Sequence, residues 1–168
     1  MTTVQDLPRI VSSKATVRFQ DCDPFNHLNN AAYIDYFMNH REDVLLEHYK
    51  LDIYGMARKE GKSWVSNSSQ IHYFRPALLM ETLLIESQLI RHSDSELFVE
   101  MRMYDITRNV LKAVIWCGFT HYNLVKKRRE IHSEPLMTLF GHITEPVMAL
   151  TFEERIEQFK SNNPSIYI

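Results

Sequence analysis

Hydrophobic positions change period along this chain, and the change separates a helical stretch from a run of strands. Between 31 and 49, Ala31, Ala32, Tyr33, Ile34, Tyr36, Phe37, Met38, Val44, Leu45 and Leu46 occur with no Gly or Pro among them. That composition predicts a helix apolar around much of its circumference, largely buried and wrapped by a sheet. Gly55 and Gly61 bracket a polar connection, and from Trp64 onward the period becomes two. Leu97, Val99, Met101 and Met103 alternate with Phe98, Glu100, Arg102 and Tyr104, while Leu111, Ala113, Ile115, Cys117 and Phe119 share one face of the next strand. Polar turns at 92–95 and 105–109 join these neighbours antiparallel. Strands are predicted near 14–22, 63–74, 81–91, 96–106 and 110–123, which makes an α+β layer with the sheet curled around one long helix. Thr151 with Glu154 three residues on forms a capping box, and Phe152, Ile156 and Phe159 form an apolar stripe. A C-terminal helix packed outside the sheet follows from them, as an extension at about 146–162 to a core at about 12–142.

Composition narrows the class. The 168 residues contain no Gly/Ser/Pro-rich linker, so a single domain over 1–168 is the simplest organisation. Charged residues make up 24% of the chain and sum to a formal charge of −2, which gives no global field to attract nucleic acid or an anionic membrane. Cys22 and Cys117 are too few for a disulfide framework and fit a reducing compartment. The N-terminus has neither a basic start nor an apolar leader core, and no apolar run approaches the roughly 20 residues that span a bilayer. A soluble cytoplasmic protein is the expectation. The eight histidines show no Cys/His cluster and no His-Glu-x-x-His spacing, so neither a metal nor a cofactor is expected.

Candidate chemistry concentrates between Arg18 and Phe37. An extended arm with Val17 and Phe19 carries Asp23 to a Pro-containing turn, and Asn29-Asn30 can cap a helix beginning near Ala31. Free N–H groups at such a start can bind a carbonyl oxygen that acquires negative charge. Read locally, the same residues also make a turn with side-chain caps and no chemistry. The string Asp21-Cys-Asp-Pro-Phe-Asn-His-Leu-Asn-Asn-Ala-Ala-Tyr33 resembles the Asp-x-Asp-x-x-x-His-x-Asn-Asn-x-x-Tyr signature of hotdog-fold thioesterases, the 4-hydroxybenzoyl-CoA and acyl-ACP thioesterase superfamily. The resemblance implies a hotdog fold and thioester hydrolysis. In that chemistry Asp23 is general base or nucleophile, the amides at Asn30 and Ala31 hold the oxyanion, and His27 assists. Asp21 is read as structural, and Cys22 as a packing residue without the partners of a nucleophile.

The pattern departs from its relatives in places. Plant acyl-ACP thioesterases carry an Asn two residues after the acid where this chain has Phe25, so a mechanism through that amide does not transfer. Asn26 stands where many bacterial relatives have Gly, and it tolerates a left-handed turn. Met80-Glu81 replaces a frequent Gly-Asp.

Substrate contacts are assigned with their plainer alternatives. Tyr33 lines an acyl pocket or belongs to the core. Arg75 meets a phosphate or pantetheine carbonyl, or makes a loop ion pair. Arg41 resembles an Arg on the aromatic helix of the family, with pairing to a carboxylate as its favoured role. Lys126, Lys127, Arg128 and Arg129 bind the CoA phosphates or the acidic surface of acyl carrier protein, or are solvated hairpin charge. No aromatic interleaving suggests nucleic acid. The expected function is an acyl-CoA thioesterase that releases a free acid and CoA, with CoA as part of the substrate. An acyl-ACP thioesterase and a non-catalytic acyl-CoA-binding module are the alternatives. A homodimer or dimer of dimers is implied, with sites between subunits.

Overall fold

The computed structural model describes residues 6–162. β1 (Ile10–Thr16) leads through a single 3-10 turn (Phe19–Asp21) to α1 (Asn30–Tyr49) and α2 (Ile53–Glu60). Then come β2 (Lys62–Tyr73), β3 (Thr82–His92), β4 (Glu96–Asp105), β5 (Leu111–Asn123) and the short β6 (Arg128–Arg129). α3 (Glu134–Ile143) and α4 (Phe152–Asn162) close the order. The sheet runs β1-β3-β4-β5-β2 with every neighbour antiparallel, and β6 pairs with the end of β5. Among the described residues no helix is long and apolar enough to cross a membrane.

The period-two residues divide between two cores. Leu97, Val99, Met101 and Met103 join Ala113, Ile115, Cys117 and Phe119 on the concave face, packed against Tyr33 and Phe37 of α1. The convex face carries Phe74, Ile90, Val114 and Trp116, and α4 covers it with Phe152 and Ile156. Thr151 Oγ1 accepts from Glu154 N at 3.2 Å, and Glu154 Oε2 from Leu150 N at 2.9 Å, so the capping-box residues start α4 as expected. Between α4 and the sheet lies Glu100, fully buried, held by Nε and Nη2 of Arg155 at 2.8 Å each and by Trp116 Nε1 at 2.8 Å. This is the curled sheet around one helix that the resemblance implied.

Four expectations are corrected. The first strand lies at Ile10–Thr16, not 14–22, because Val17 turns inward while Phe19 is 79% exposed and the chain breaks into the 3-10 turn. α1 buries one face only: Tyr33, Phe37, His40, Arg41 and Val44 are buried, while Ile34 and Leu46 face outward. The polar connection holds a helix, α2, capped by Asp52 Oδ1 on Gly55 N at 2.7 Å and ended by Gly61 at φ +64°. Leu111 belongs to the convex core because the β4–β5 register skips Lys112, which flips the face of the residue before it.

Candidate active site

Residues 22–28 form a tight turn held mainly by Asp23. Its Oδ1 accepts from Phe25 N at 2.8 Å and from His27 N at 3.0 Å, and its own N–H donates to the His27 carbonyl at 2.8 Å. Asn26 takes the left-handed conformation at φ +61°, where a short polar side chain replaces glycine at little strain. Cys22 and Leu28 bridge across the base of the turn. Asp23 is therefore presented by a turn, not by a strand end, with Oδ1 committed to backbone. His27 supports the acid through its amide; its ring packs 6.4 Å from that of Phe25 and makes no hydrogen bond to Asp23.

A second strip of chain pins this turn. Leu28 N donates to Ala77 O at 2.8 Å and Leu79 N to Asn26 O at 3.0 Å, so the loop between β2 and β3 lies along it. Lys112 Nζ fixes that loop from β5, reaching Glu81 Oε1 at 2.8 Å and Pro76 O at 3.0 Å. Tyr33 Oη accepts from Ala77 N at 3.0 Å, and the Tyr33 ring meets Tyr73 edge-on at 5.0 Å. Burial pushes the Tyr33 hydroxyl up. It stands in the core, 2% exposed.

Helix α1 begins at this turn. Asn29 is the N-cap, and its Oδ1 accepts from Ala31 N at 3.0 Å. The Ala31 amide expected at an oxyanion is thus engaged by the cap. Ala32 and Tyr33 both donate to Asn29 O. Asn30 N–H alone at the helix start forms no hydrogen bond within the described chain, and it carries the positive end of the helix dipole. Tyr73 Oη donates to Asn30 O at 3.1 Å and so fixes the peptide beyond it.

The flanking acid and thiol are structural. Tyr36 Oη donates to Asp21 Oδ2 at 2.8 Å, tying the 3-10 turn to α1. Cys22 Sγ lies 3.3 Å from Arg18 O, and desolvation together with Asp21 and Asp23 pushes its thiol up, away from the thiolate a nucleophile needs. No group of three His, Cys, Asp or Glu side chains able to hold a metal ion occurs among the described residues.

The expected substrate contacts separate in space. Arg75 opens the loop that pins the turn and lies beside the site in the chain, its N–H on Lys112 O at 3.2 Å. Lys126, Lys127, Arg128 and Arg129 lie at the opposite end of the sheet. Tyr73, next to the site, pairs with Ala113, whereas Lys62 pairs with Asn123 just before the basic hairpin. Ten strand residues separate these ends, about 30 Å. Arg129 is further committed to Ser95 Oγ at 2.7 Å and to Glu96 at 3.6 Å. Sequence reasoning missed Tyr73, Glu81 and Lys112, which act through contacts between distant segments and leave no local pattern.

A sheet curled around one helix, with an acid-bearing turn folded onto the helix start, defines a hotdog-fold protein. Residues 17–159 match the model of the thioesterase-like superfamily. The chain belongs to that superfamily. Among solved structures it is similar to Slr0204, a 1,4-dihydroxy-2-naphthoyl-CoA thioesterase from Synechocystis, with TM-score 0.72 and 14% identity over 82% of this chain and 99% of that one. It is also similar to YbaW, a probable thioesterase from Escherichia coli, with TM-score 0.67 and 21% identity over 80% and 98% of the two chains. A third similar structure is the hypothetical protein SAV2348 from Staphylococcus aureus in complex with CoA, with TM-score 0.75 and 13% identity over 88% and 93%. Comparison with curated proteins found no match.

Proposed function

We propose that this protein is a cytoplasmic acyl-CoA thioesterase in which Asp23 and the Asn30 amide act on the thioester carbonyl. The observation that carries the proposal is the shared turn: one carboxylate oxygen of Asp23 is spent on holding it, while the helix start two residues beyond it offers an unengaged N–H. Oδ2 of Asp23 takes a proton from water as the water oxygen bonds to the acyl carbon. Negative charge moves onto the carbonyl oxygen, where Asn30 N–H and the α1 dipole stabilise it. Collapse breaks the C–S bond, and the thiolate departs with little need of an acid. Direct attack by Oδ2 gives an acyl anhydride that water then opens, with the same oxyanion contact. His27, beside the acid, positions the water.

A second copy of the chain completes the site in this proposal. Val65 to Gln70 of edge strand β2 are exposed on both faces, an unpaired polar edge. Antiparallel pairing of two such strands about their middle sets Tyr73 of one protomer beside the Lys62 end of the other. The basic hairpin from Lys126 to Arg128 then approaches the neighbouring site, where it suits the phosphates of CoA. The named CoA complex among the similar structures supports a CoA ligand.

Thiol release from a panel of aliphatic and aromatic CoA thioesters tests the activity. Turnover on at least one member, lost in Asp23→Asn, is the expected result. Hydrolysis confined to acyl-carrier-protein thioesters would move the proposal to that carrier. Tight CoA-thioester binding without thiol release would make the protein a binding module.

A further inference from the structure

Arg41 lies on the buried face of α1, one turn beyond Phe37, and is 7% exposed. Its guanidinium stacks on Phe119, with Cζ 4.0 Å from the ring centroid. The carboxylate partner expected for it is absent: among the described residues the Arg41 guanidinium makes no ion pair and no hydrogen bond, and the Glu42 carboxylate acts on it only through longer-range charge. Burial lowers its pKa to about 10, which leaves it cationic at neutral pH. Arg102 shows how this fold treats a structural buried cation, with Glu100 at 2.6 Å, Glu86 at 3.3 Å and Gln88 all on its guanidinium. Buried charges are ordinarily paired in that manner.

Arg41 also lines a cavity of about 40 Å³ whose other walls are mostly apolar, among them Leu51, Trp64, Val99 and Phe140; the polar side chains of Tyr49, Ser87 and Gln88 that share it are hydrogen-bonded to Pro8 O, His40 and Arg102. With roughly 10–15 Å³ needed per water, that space suits a carboxylate or about three waters. We propose that Arg41 seats a carboxylate carried at the far end of the acyl chain, so that the preferred substrates are thioesters of dicarboxylic acids. The claim rests on the thioesterase reading and adds the substrate class. Asn30 and Arg41 are eleven residues apart, about 16 Å along the helix, and an α-helical side chain leans back toward the N-terminus, so an acyl group of about eight carbons is the right order of length. Tyr33, Phe37 and Arg41 follow one another on this face, so the chain must turn the Phe37 ring aside to reach the guanidinium.

The test is calorimetric binding of two CoA thioesters, of octanedioic and octanoic acid, to Asp23→Asn protein with and without Arg41→Met, and of free octanoate to the wild type and to Arg41→Met. The dicarboxylic thioester should bind at least tenfold tighter than the octanoyl one, and Arg41→Met should bring the two within twofold. Arg41→Met should also melt at the same temperature as its parent or higher, since it replaces an unpaired buried cation by an apolar chain of similar length. A lower melting temperature would assign Arg41 to the fold and overturn the proposal. Equal affinities, or a preference that survives Arg41→Met, overturn it too. Octanoate binding that depends on Arg41, without any preference between the thioesters, would make the seat one for released acid and equally overturn the substrate claim. Failure of both thioesters to bind would instead sink the thioesterase reading beneath it. Should Asp23→Asn still turn over, the role of Asp23 fails, and the ratio of kcat/KM for the two thioesters continues to test Arg41.

Discussion

In the proposed mechanism Asp23 serves two functions through two oxygens, and a pair of substitutions separates them. Asparagine keeps an Oδ1 acceptor for the amides of Phe25 and His27, now at 2.8 and 3.0 Å, and removes only the basic Oδ2. Asp23→Asn should therefore unfold within about 0.5 kcal/mol of the wild type, since a half-exposed acceptor is exchanged for another of the same shape. Alanine removes both hydrogen bonds and should cost about 1–2 kcal/mol, at roughly 1 kcal/mol for each partly exposed bond. Turnover should fall alike in both, by about 10²–10⁴, the ordinary worth of a positioned general base, or about 3–5 kcal/mol on the barrier. Urea melts and thiol release on the same preparations give both numbers. Activity in Asp23→Asn within tenfold of wild type would refute the assignment, as would equal destabilisation by the two substitutions.

Other consequences follow from buried groups and the open edge. His40 is clasped between Ser13 Oγ at 2.6 Å and Ser87 Oγ at 3.0 Å, and burial lowers its pKa from 6.5 to about 4. The unfolded chain thus binds this proton below pH 6.5 and the folded chain only near pH 4. Stability should fall across that window, by roughly 3 kcal/mol from His40 at full titration; a urea midpoint unchanged between pH 7 and 4.5 would contradict it, and His40→Gln should flatten the slope. His132, lowered to about 4 chiefly by burial, acts in the same direction. Arg155→Ala strips the bidentate partner from a fully buried Glu100 and should destabilise by about 3 kcal/mol, with less than 1 kcal/mol in a denaturant titration telling against the latch. Val65→Asp with Gln70→Asp places like charges along the β2 edge and should convert the proposed dimer to monomers by light scattering, whereas an unchanged mass would remove β2 from the interface.

Much of this fold is legible in the sequence because each local signal agrees with the global arrangement. The β4 and β5 alternation survives burial on both faces, since the convex face gained its own cover in α4, itself marked by Thr151 and Glu154. Where reading failed, a long-range contact had overridden a local pattern. Val17 and Phe19 alternate like a strand, yet Val17 N–H pairs with Glu81 O and the chain turns away, leaving Phe19 in solvent. α1 reads as apolar around much of its circumference, yet Ile34 and Leu46 lie outside the core with no sheet over them in a single chain. Asp23, His27, Asn29 and Asn30 are adjacent in sequence, so their junction was accessible to inspection. The division of labour within it was not: which amide the cap consumes depends on the rotamer of Asn29, and the tie from Tyr73 to Asn30 depends on a strand over forty residues away. The basic hairpin was obvious as charge, but its distance from Asp23 is a property of register, which composition does not encode.

In the proposed site one carboxylate and one helix-start amide converge on a thioester carbonyl. A crystal structure of Asp23→Asn with a bound CoA thioester tests it most directly. The carbonyl oxygen should lie about 2.7–3.1 Å from Asn30 N, with the acyl carbon within about 3.5 Å of the residue 23 side chain or of a water bound to it. A thioester seated with its carbonyl away from the α1 start, and residue 23 engaged only by its own turn, would contradict it.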